Sequence, residues 1–198
     1  MSTEQTVDAQ PPVRVLGIAG SLRANSYNRR LLQLAAEQAP HAVQLTIWGG
    51  LKAIPPFDED DEPTPPAAVL ELREAIAASD ALLLVTPEYN GSLPGQLKNS
   101  LDWASRPRAR PVLRDTPAAV IGASPSPSGA RNSQSDARRV LARAGARVID
   151  CELAVASAHT RLATTDRLGD DDLDVAVQNV LIELLRAVQP AARVTARA

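Results

Sequence analysis

The apolar positions of this chain change spacing from one segment to the next. Residues 13–19 form a short run rich in β-branched residues, Val13-Arg14-Val15-Leu16-Gly17-Ile18-Ala19, which predicts a buried strand. After a polar loop over 20–27, Leu31, Leu32, Leu34 and Ala35 recur at helical intervals within 28–39, and Pro40 ends the pattern. Residues 43–48 predict a second strand. Residues 49–66 are acidic, Pro-rich and without periodicity, a long loop of a kind that often carries function. Val69, Leu70, Leu72 and Ile76 mark a helix over 67–78, and the most hydrophobic stretch, Ala81-Leu82-Leu83-Leu84-Val85, predicts a central strand within 80–86.

The alternation continues with a loop at 87–94, a helix over 95–105, a strand over 117–123 and a Pro-interrupted loop at 124–128. A helix over 132–144 closes at Gly145, and a fifth strand over 148–155 and an amphipathic helix over 171–188 complete the pattern. Strands joined by crossover helices run parallel with right-handed connections, so five strands alternating with five helices predict an α/β fold, a doubly wound three-layer sandwich. With the sheet in the order 2-1-3-4-5, the ligand crevice lies at the carboxyl ends of strands one and three, where the chain changes direction. The loops at 20–28, 87–95 and 124–131 face that crevice.

Composition narrows the function. A chain of 198 residues, 44% apolar, fits one domain over 13–188 between a disordered lead-in, 1–12, and a tail, 189–198. A formal charge of -2 offers no basic field for nucleic acid or an anionic membrane surface. No apolar run approaches the ~20 residues of a membrane span, and the polar lead-in is unlike a signal peptide, so the expected compartment is the cytoplasm. One cysteine, Cys151, and two separated histidines make neither an internal disulfide nor a zinc spacing, so no metal is expected.

The first crevice loop crowds Gly20-Ser21-Leu22-Arg23-Ala24-Asn25-Ser26-Tyr27-Asn28 against a helix N-terminus. Free N–H groups and the helix dipole favour an anion there. Ser21, Ser26 and Asn28 can donate to phosphate oxygens and Arg23 can add a charge-assisted contact. The plainer reading is that Ser26 or Asn28 only caps the helix and Arg23 is solvated; capping needs one polar residue, and this loop supplies five. No Gly-x-Gly-x-x-Gly or Gly-Lys-Ser/Thr is present, which points to a mononucleotide.

The second loop runs Thr86-Pro87-Glu88-Tyr89-Asn90-Gly91-Ser92-Leu93-Pro94-Gly95-Gln96-Leu97-Lys98-Asn99-Ser100-Leu101-Asp102-Trp103. Together with Gly20-Ser21-Leu22-Arg23 and Ser26-Tyr27-Asn28, it resembles the NAD(P)H-dependent FMN reductases, the flavodoxin-like group that includes bacterial quinone and chromate reductases. The resemblance spans about 13–186 and includes Ile54-Pro55-Pro56-Phe57-Asp58-Glu59-Asp60. It implies FMN as cofactor, NADPH or NADH as electron donor, and electron-pair transfer in ping-pong order to a small acceptor such as a quinone, chromate, an azo compound or free flavin. It further implies a homodimer or homotetramer. Ser21, Arg23, Ser26 and Asn28 would hold the FMN phosphate, Tyr27 beside them would also bind the cofactor, and Pro87, Glu88, Tyr89 and Asn90 would line the ring. No catalytic side chain is implied, because the flavin carries the chemistry. A flavodoxin-type electron carrier would share fold and cofactor, but such carriers are strongly acidic.

The third loop, Ala123-Ser124-Pro125-Ser126-Pro127-Ser128-Gly129-Ala130-Arg131, is poorer in glycine than its counterpart in relatives. Ser124 and Gly129 either contact the flavin or shape a strand-to-helix turn. Gly91 stands where several relatives carry an aromatic, which leaves the substrate side more open. Elsewhere, His41 at a helix end and His159 in a polar loop are expected at the surface, and Cys151, on or beside a buried strand, is expected to be an inert small apolar group. Lys98, Asp102, Trp103 and Arg106 lie on or after the third helix, which in this family helps form the dimer interface, and 58–62 is expected to be a solvated loop.

Overall fold

The computed structural model describes residues 11–162 and 170–188. Its first strand, β1 (Val13–Ala19), leads through the polar loop into α1 (Tyr27–Glu37) and β2 (Val43–Trp48). Then come α2 (Ala67–Ala77), β3 (Ala81–Thr86), α3 (Gly95–Ala104), β4 (Pro117–Ala123) and α4 (Arg131–Arg143). Two short strands, β5 (Arg147–Val148) and β6 (Ala154–Val155), a one-turn α5 (Ala158–Arg161) and α6 (Asp171–Val188) complete the described chain. The sheet is parallel in the order β2-β1-β3-β4-β5, as expected, with β6 also pairing β4.

β3 is buried along its whole length, which is why its sequence is apolar without alternation. On one face of the sheet, Leu31, Leu32 and Ala35 of α1 and Val177, Leu181 and Leu184 of α6 pack against Val15, Leu83 and Ile121. On the other, Val69 and Leu72 of α2, Leu97 and Leu101 of α3 and Leu141 of α4 pack against Ile18, Leu82, Leu84 and Val120. These three layers carry every β1, β3 and β4 carboxyl end to one edge.

Three expectations change. The fifth strand is not continuous over 148–155, because Arg138 of α4 enters the gap between β5 and β6. Its guanidinium donates to the Val120 carbonyl (2.9 Å), the Ile149 carbonyl (3.3 Å) and the Cys151 carbonyl, replacing ladder donors where β4 would meet the missing segment. His159 lies in the short helix α5, not in a loop. The stretch at 49–66 contains two 3₁₀ turns, Gly50–Ala53 and Glu59–Asp61, and α3 holds it in place. Asn99 and the Trp103 indole both donate to the Pro55 carbonyl, and Gln96 donates to the Leu51 and Ile54 carbonyls. The lead-in's residues 1–10 and the tail, 189–198, lie outside the described residues.

At the amino end of the sheet, Arg14 binds Asp80 through its backbone N–H, Nε and Nη2, at 2.9, 3.1 and 2.9 Å. These hydrogen bonds from the Arg14 guanidinium hold the Asp80 carboxyl below its ordinary value of 3.8. A depressed carboxyl stabilises the fold above its unfolded pKa, and that contribution is lost as pH falls through the folded value. Asp80→Asn is therefore expected to flatten the fall of the urea midpoint below about pH 4, by a small amount because the pair is solvent-facing.

Candidate functional site

Ser26 is the N-cap of α1: its backbone is extended, and its Oγ accepts the N–H groups of Asn28 (3.2 Å) and Arg29 (3.4 Å). The hydroxyl hydrogen of Ser26 is not spent in that cap. Asn28 is committed elsewhere. Its amide donates to the Ala123 carbonyl and accepts the Ala123 N–H, both at 2.9 Å, pinning the start of α1 to the end of β4. The side chain read as a phosphate donor thus locks the first loop to the third.

The same loop keeps donors in reserve. Among the described residues, the backbone N–H groups of Ala24, Asn25, Ser26 and Tyr27 find no acceptor within the chain. Arg23 is exposed and makes no ion pair, while Ser21 is buried and accepts the Arg23 N–H at 3.4 Å. Unspent N–H groups at the positive end of a helix, with a free guanidinium beside them, fit a phosphate.

The second loop is a tight two-residue hairpin. Tyr89 and Ser92 exchange backbone hydrogen bonds of 3.0 and 3.1 Å across Asn90 (φ 53°) and Gly91 (φ 76°), the left-handed pair a type I′ turn demands. α4 anchors it at three points. The Glu88 carboxylate accepts the Asn132 N–H (3.0 Å), the Asn132 amide (3.2 Å) and the Ser133 N–H (3.4 Å). Thr86 and Ser133 share a hydroxyl bond of 2.8 Å, and Ser92 donates to Asp136 at 2.6 Å. Ala130, at the α4 N-cap, has no capping side chain, so Glu88 supplies the cap from a distant loop. Glu88→Ala is expected to cost about 1 kcal/mol of stability, as other cap losses do, read as a lower urea midpoint.

In the third loop, Ser124, Ser126 and Ser128 form a hydroxyl chain with separations of 3.0 and 2.8 Å. The Ser124 backbone pairs with β6, donating to the Val155 carbonyl and accepting the Ala158 N–H. Gly129 (φ 58°) has a packing reason for its identity: a Cβ there would come within 2.6 Å of the Ala154 carbonyl carbon.

One cavity of about 100 Å³ gathers the three loops. Ser21, Arg23, Ser26, Tyr27, Asn28, Pro87, Glu88, Tyr89 and Ser124 line it; Asn90 and Gly129 do not. Ala123 and Pro125, which carry no side-chain signal in the sequence, complete the wall. Tyr89 stands 48% exposed at its rim. A larger cavity of about 700 Å³ lies away from these residues, between α3 and the end of α4 among Arg106, Arg108, Arg114, Arg139 and Arg143.

Other residues settle into structural roles. Trp103 is fully buried, its ring edge-on to Phe57 at 4.9 Å, so it belongs to the core and not to a subunit surface. Lys98 pairs with Asp102 one turn along α3. Arg106 lies 3.0 Å from Glu59 and 2.7 Å from Glu62, so the acidic loop is tethered as well as solvated. Burial pushes the Cys151 thiol up from its ordinary value, and the protein should react with a disulfide reagent near neutral pH far more slowly folded than in urea.

Comparison with known proteins agrees with this geometry. The family model described as NADPH-dependent FMN reductase matches residues 13–160. An NAD(P)H-dependent FMN reductase of Pseudomonas aeruginosa is 39% identical over 171 residues, covering 85% of this chain and 91% of the relative. A 2-hydroxy-1,4-benzoquinone reductase of a Burkholderia species is 39% identical over 132 residues, 66% of this chain and 70% of that one. Among solved structures, a flavoenzyme NAD(P)H:(acceptor) oxidoreductase from Paracoccus denitrificans superposes with a TM-score of 0.81 at 30% identity, covering 89% of this chain and 97% of its own. With the cavity placed where the doubly wound fold puts a cofactor, the chain belongs to the NADPH-dependent FMN reductase family.

Proposed function

We propose that this chain holds FMN at the edge formed by its first three crevice loops and reduces quinones and other small acceptors at the expense of NADPH or NADH. The observation that carries the reading is the set of unspent N–H groups at 24–27 beside a free Arg23, where Ser26 and Tyr27 share a cavity with Pro87, Glu88 and Tyr89 of the clamped hairpin. Ser21, Ser26 and Arg23 bind the phosphate end. Pro87, Glu88 and Tyr89 present a backbone edge whose position α4 fixes, and Asn90 shapes the turn without lining the cavity. Held there by Ser21, Arg23 and Ser26, FMN would supply the two-electron chemistry that couples nicotinamide oxidation to acceptor reduction, the two substrates using the site in turn.

The protein's part is orientation and dielectric. Pro87 and Thr86 are buried and the hairpin is clamped, so the polar backbone of this rim needs little reorganisation as charge develops. Tyr89 and the small Gly91 leave the outer side open, which suits acceptors of varied shape. A cytoplasmic location, where NADPH and NADH are supplied, is proposed with it; no described helix is long and apolar enough to cross a membrane. Self-association as a homodimer or homotetramer is proposed through the exposed side of α3 and the arginine-lined cavity beside it; sedimentation velocity tests it.

An absorbance spectrum of the purified protein followed by anaerobic addition of NADPH tests the whole reading. Flavin bands that bleach rapidly support it. Bands that persist point to an electron carrier, and failure to bind added FMN overturns the reading.

A further inference from the structure

A second cavity, of about 220 Å³, shares Ser21 with the phosphate loop but opens on the other side of it, between the first turns of α1 and the end of β2. Its walls are unusual for a surface left to water. Leu22 and Ile47 stand 46% and 43% exposed on its margin, and the half-buried Trp48 ring adds an aromatic surface. Two cations complete it, Arg29 of α1 and Lys52 of the first 3₁₀ turn. Both are exposed, and neither makes an ion pair among the described residues. In a chain with net charge -2 and many paired arginines, two unpaired cations beside an aromatic and two aliphatic side chains make a specific combination. A planar base can lie against the apolar wall, and phosphate can meet the cations. The exposed Gln33 amide on the same wall supplies both a donor and an acceptor for a base edge.

We propose that this pocket binds a phosphorylated adenosine. The charge count separates it from the FMN phosphate: the loop at 24–27 with Arg23 satisfies one phosphate, and Arg29 and Lys52 form a second cationic pair on the far side of Ser21. Adenosine phosphate can arrive as the adenosine end of NADPH or as the AMP half of FAD extending past the same loop. The inference rests on the loop at 20–28 being the cofactor's phosphate site, and its test reads the pocket separately from flavin.

Trp48 provides the readout, because Trp103 is fully buried far from solvent and gives a constant background. The FMN-loaded protein is titrated with 2′,5′-ADP and with 5′-AMP while tryptophan emission is followed, and the flavin-free protein is titrated with FAD and with FMN. Quenching by 2′,5′-ADP beyond that by 5′-AMP identifies the NADPH end. Quenching by FAD that FMN does not reproduce identifies the AMP half of FAD. In either case Lys52→Ala and Arg29→Ala are expected to weaken binding about tenfold each, with FMN content unchanged. Absence of quenching by 2′,5′-ADP, 5′-AMP and FAD overturns the proposal, and so does quenching that survives both substitutions at full affinity. Quenching by 2′,5′-ADP in protein that binds no FMN would keep the pocket and remove the flavin reading.

Discussion

Arg138→Met will lower the unfolding free energy by about 3 kcal/mol, read as a fall in the urea midpoint with an unchanged slope. Methionine fills similar space but donates nothing, so the carbonyls of Val120, Ile149 and Cys151 lose their partner together. Each buried carbonyl left without a donor costs about 1–3 kcal/mol, offset in part because the segment between β5 and β6 can admit water. The loss will extend beyond stability. β6 holds Ser124 through the Val155 carbonyl, so loosening the gap also loosens the third wall of the cavity that gathers the three loops. A midpoint within about 0.5 kcal/mol of the parent protein, the range of ordinary surface changes, would show that the sheet closes without the guanidinium.

Arg23→Ala is expected to weaken FMN binding roughly tenfold to a hundredfold, the worth of one charge-assisted hydrogen bond to phosphate. The fold should be unaffected, since Arg23 is exposed and its side chain ties no element to another among the described residues. Riboflavin gives the discriminating control, because it carries the same ring without the phosphate. Titration by flavin fluorescence should show the variant losing affinity for FMN and keeping its affinity for riboflavin. Equal losses for the two ligands would mean that Arg23 acts on the ring or on the loop's shape, and no loss for either would remove it from the site.

Much of the architecture was legible in the chain because it depends on local periodicity. The all-apolar run at 81–85 belongs to a strand covered on both faces, and the helical spacing of Leu31, Leu32, Leu34 and Ala35 belongs to a helix facing one side of a sheet. That three particular loops gather at one cavity was legible for a similar reason. Strand order places the loops at 20–28, 87–95 and 124–131 at one edge, and their polar residues could be named without coordinates. Individual roles were less legible. Asn28 and Glu88 read as ligand contacts and both line the cavity, but their side chains also tie α1 to β4 and cap α4, through partners 95 and 44 residues away in sequence. A side chain that can donate or accept has the same identity whichever partner it finds.

The sequence by itself determined the element types, the parallel sheet, the crevice loops and the family, since these follow from patterns within a few residues and from motifs in fixed order. The tertiary structure alone decided where polar side chains spend their hydrogen bonds. It broke the fifth strand around Arg138, closed Trp103 into the core and gave Gly129 its reason in the nearness of Ala154. It also set Arg29 and Lys52 on one pocket. Those outcomes turn on distances between residues far apart in the chain, where hydrogen bonding and charge act over a few ångströms and periodicity carries no information.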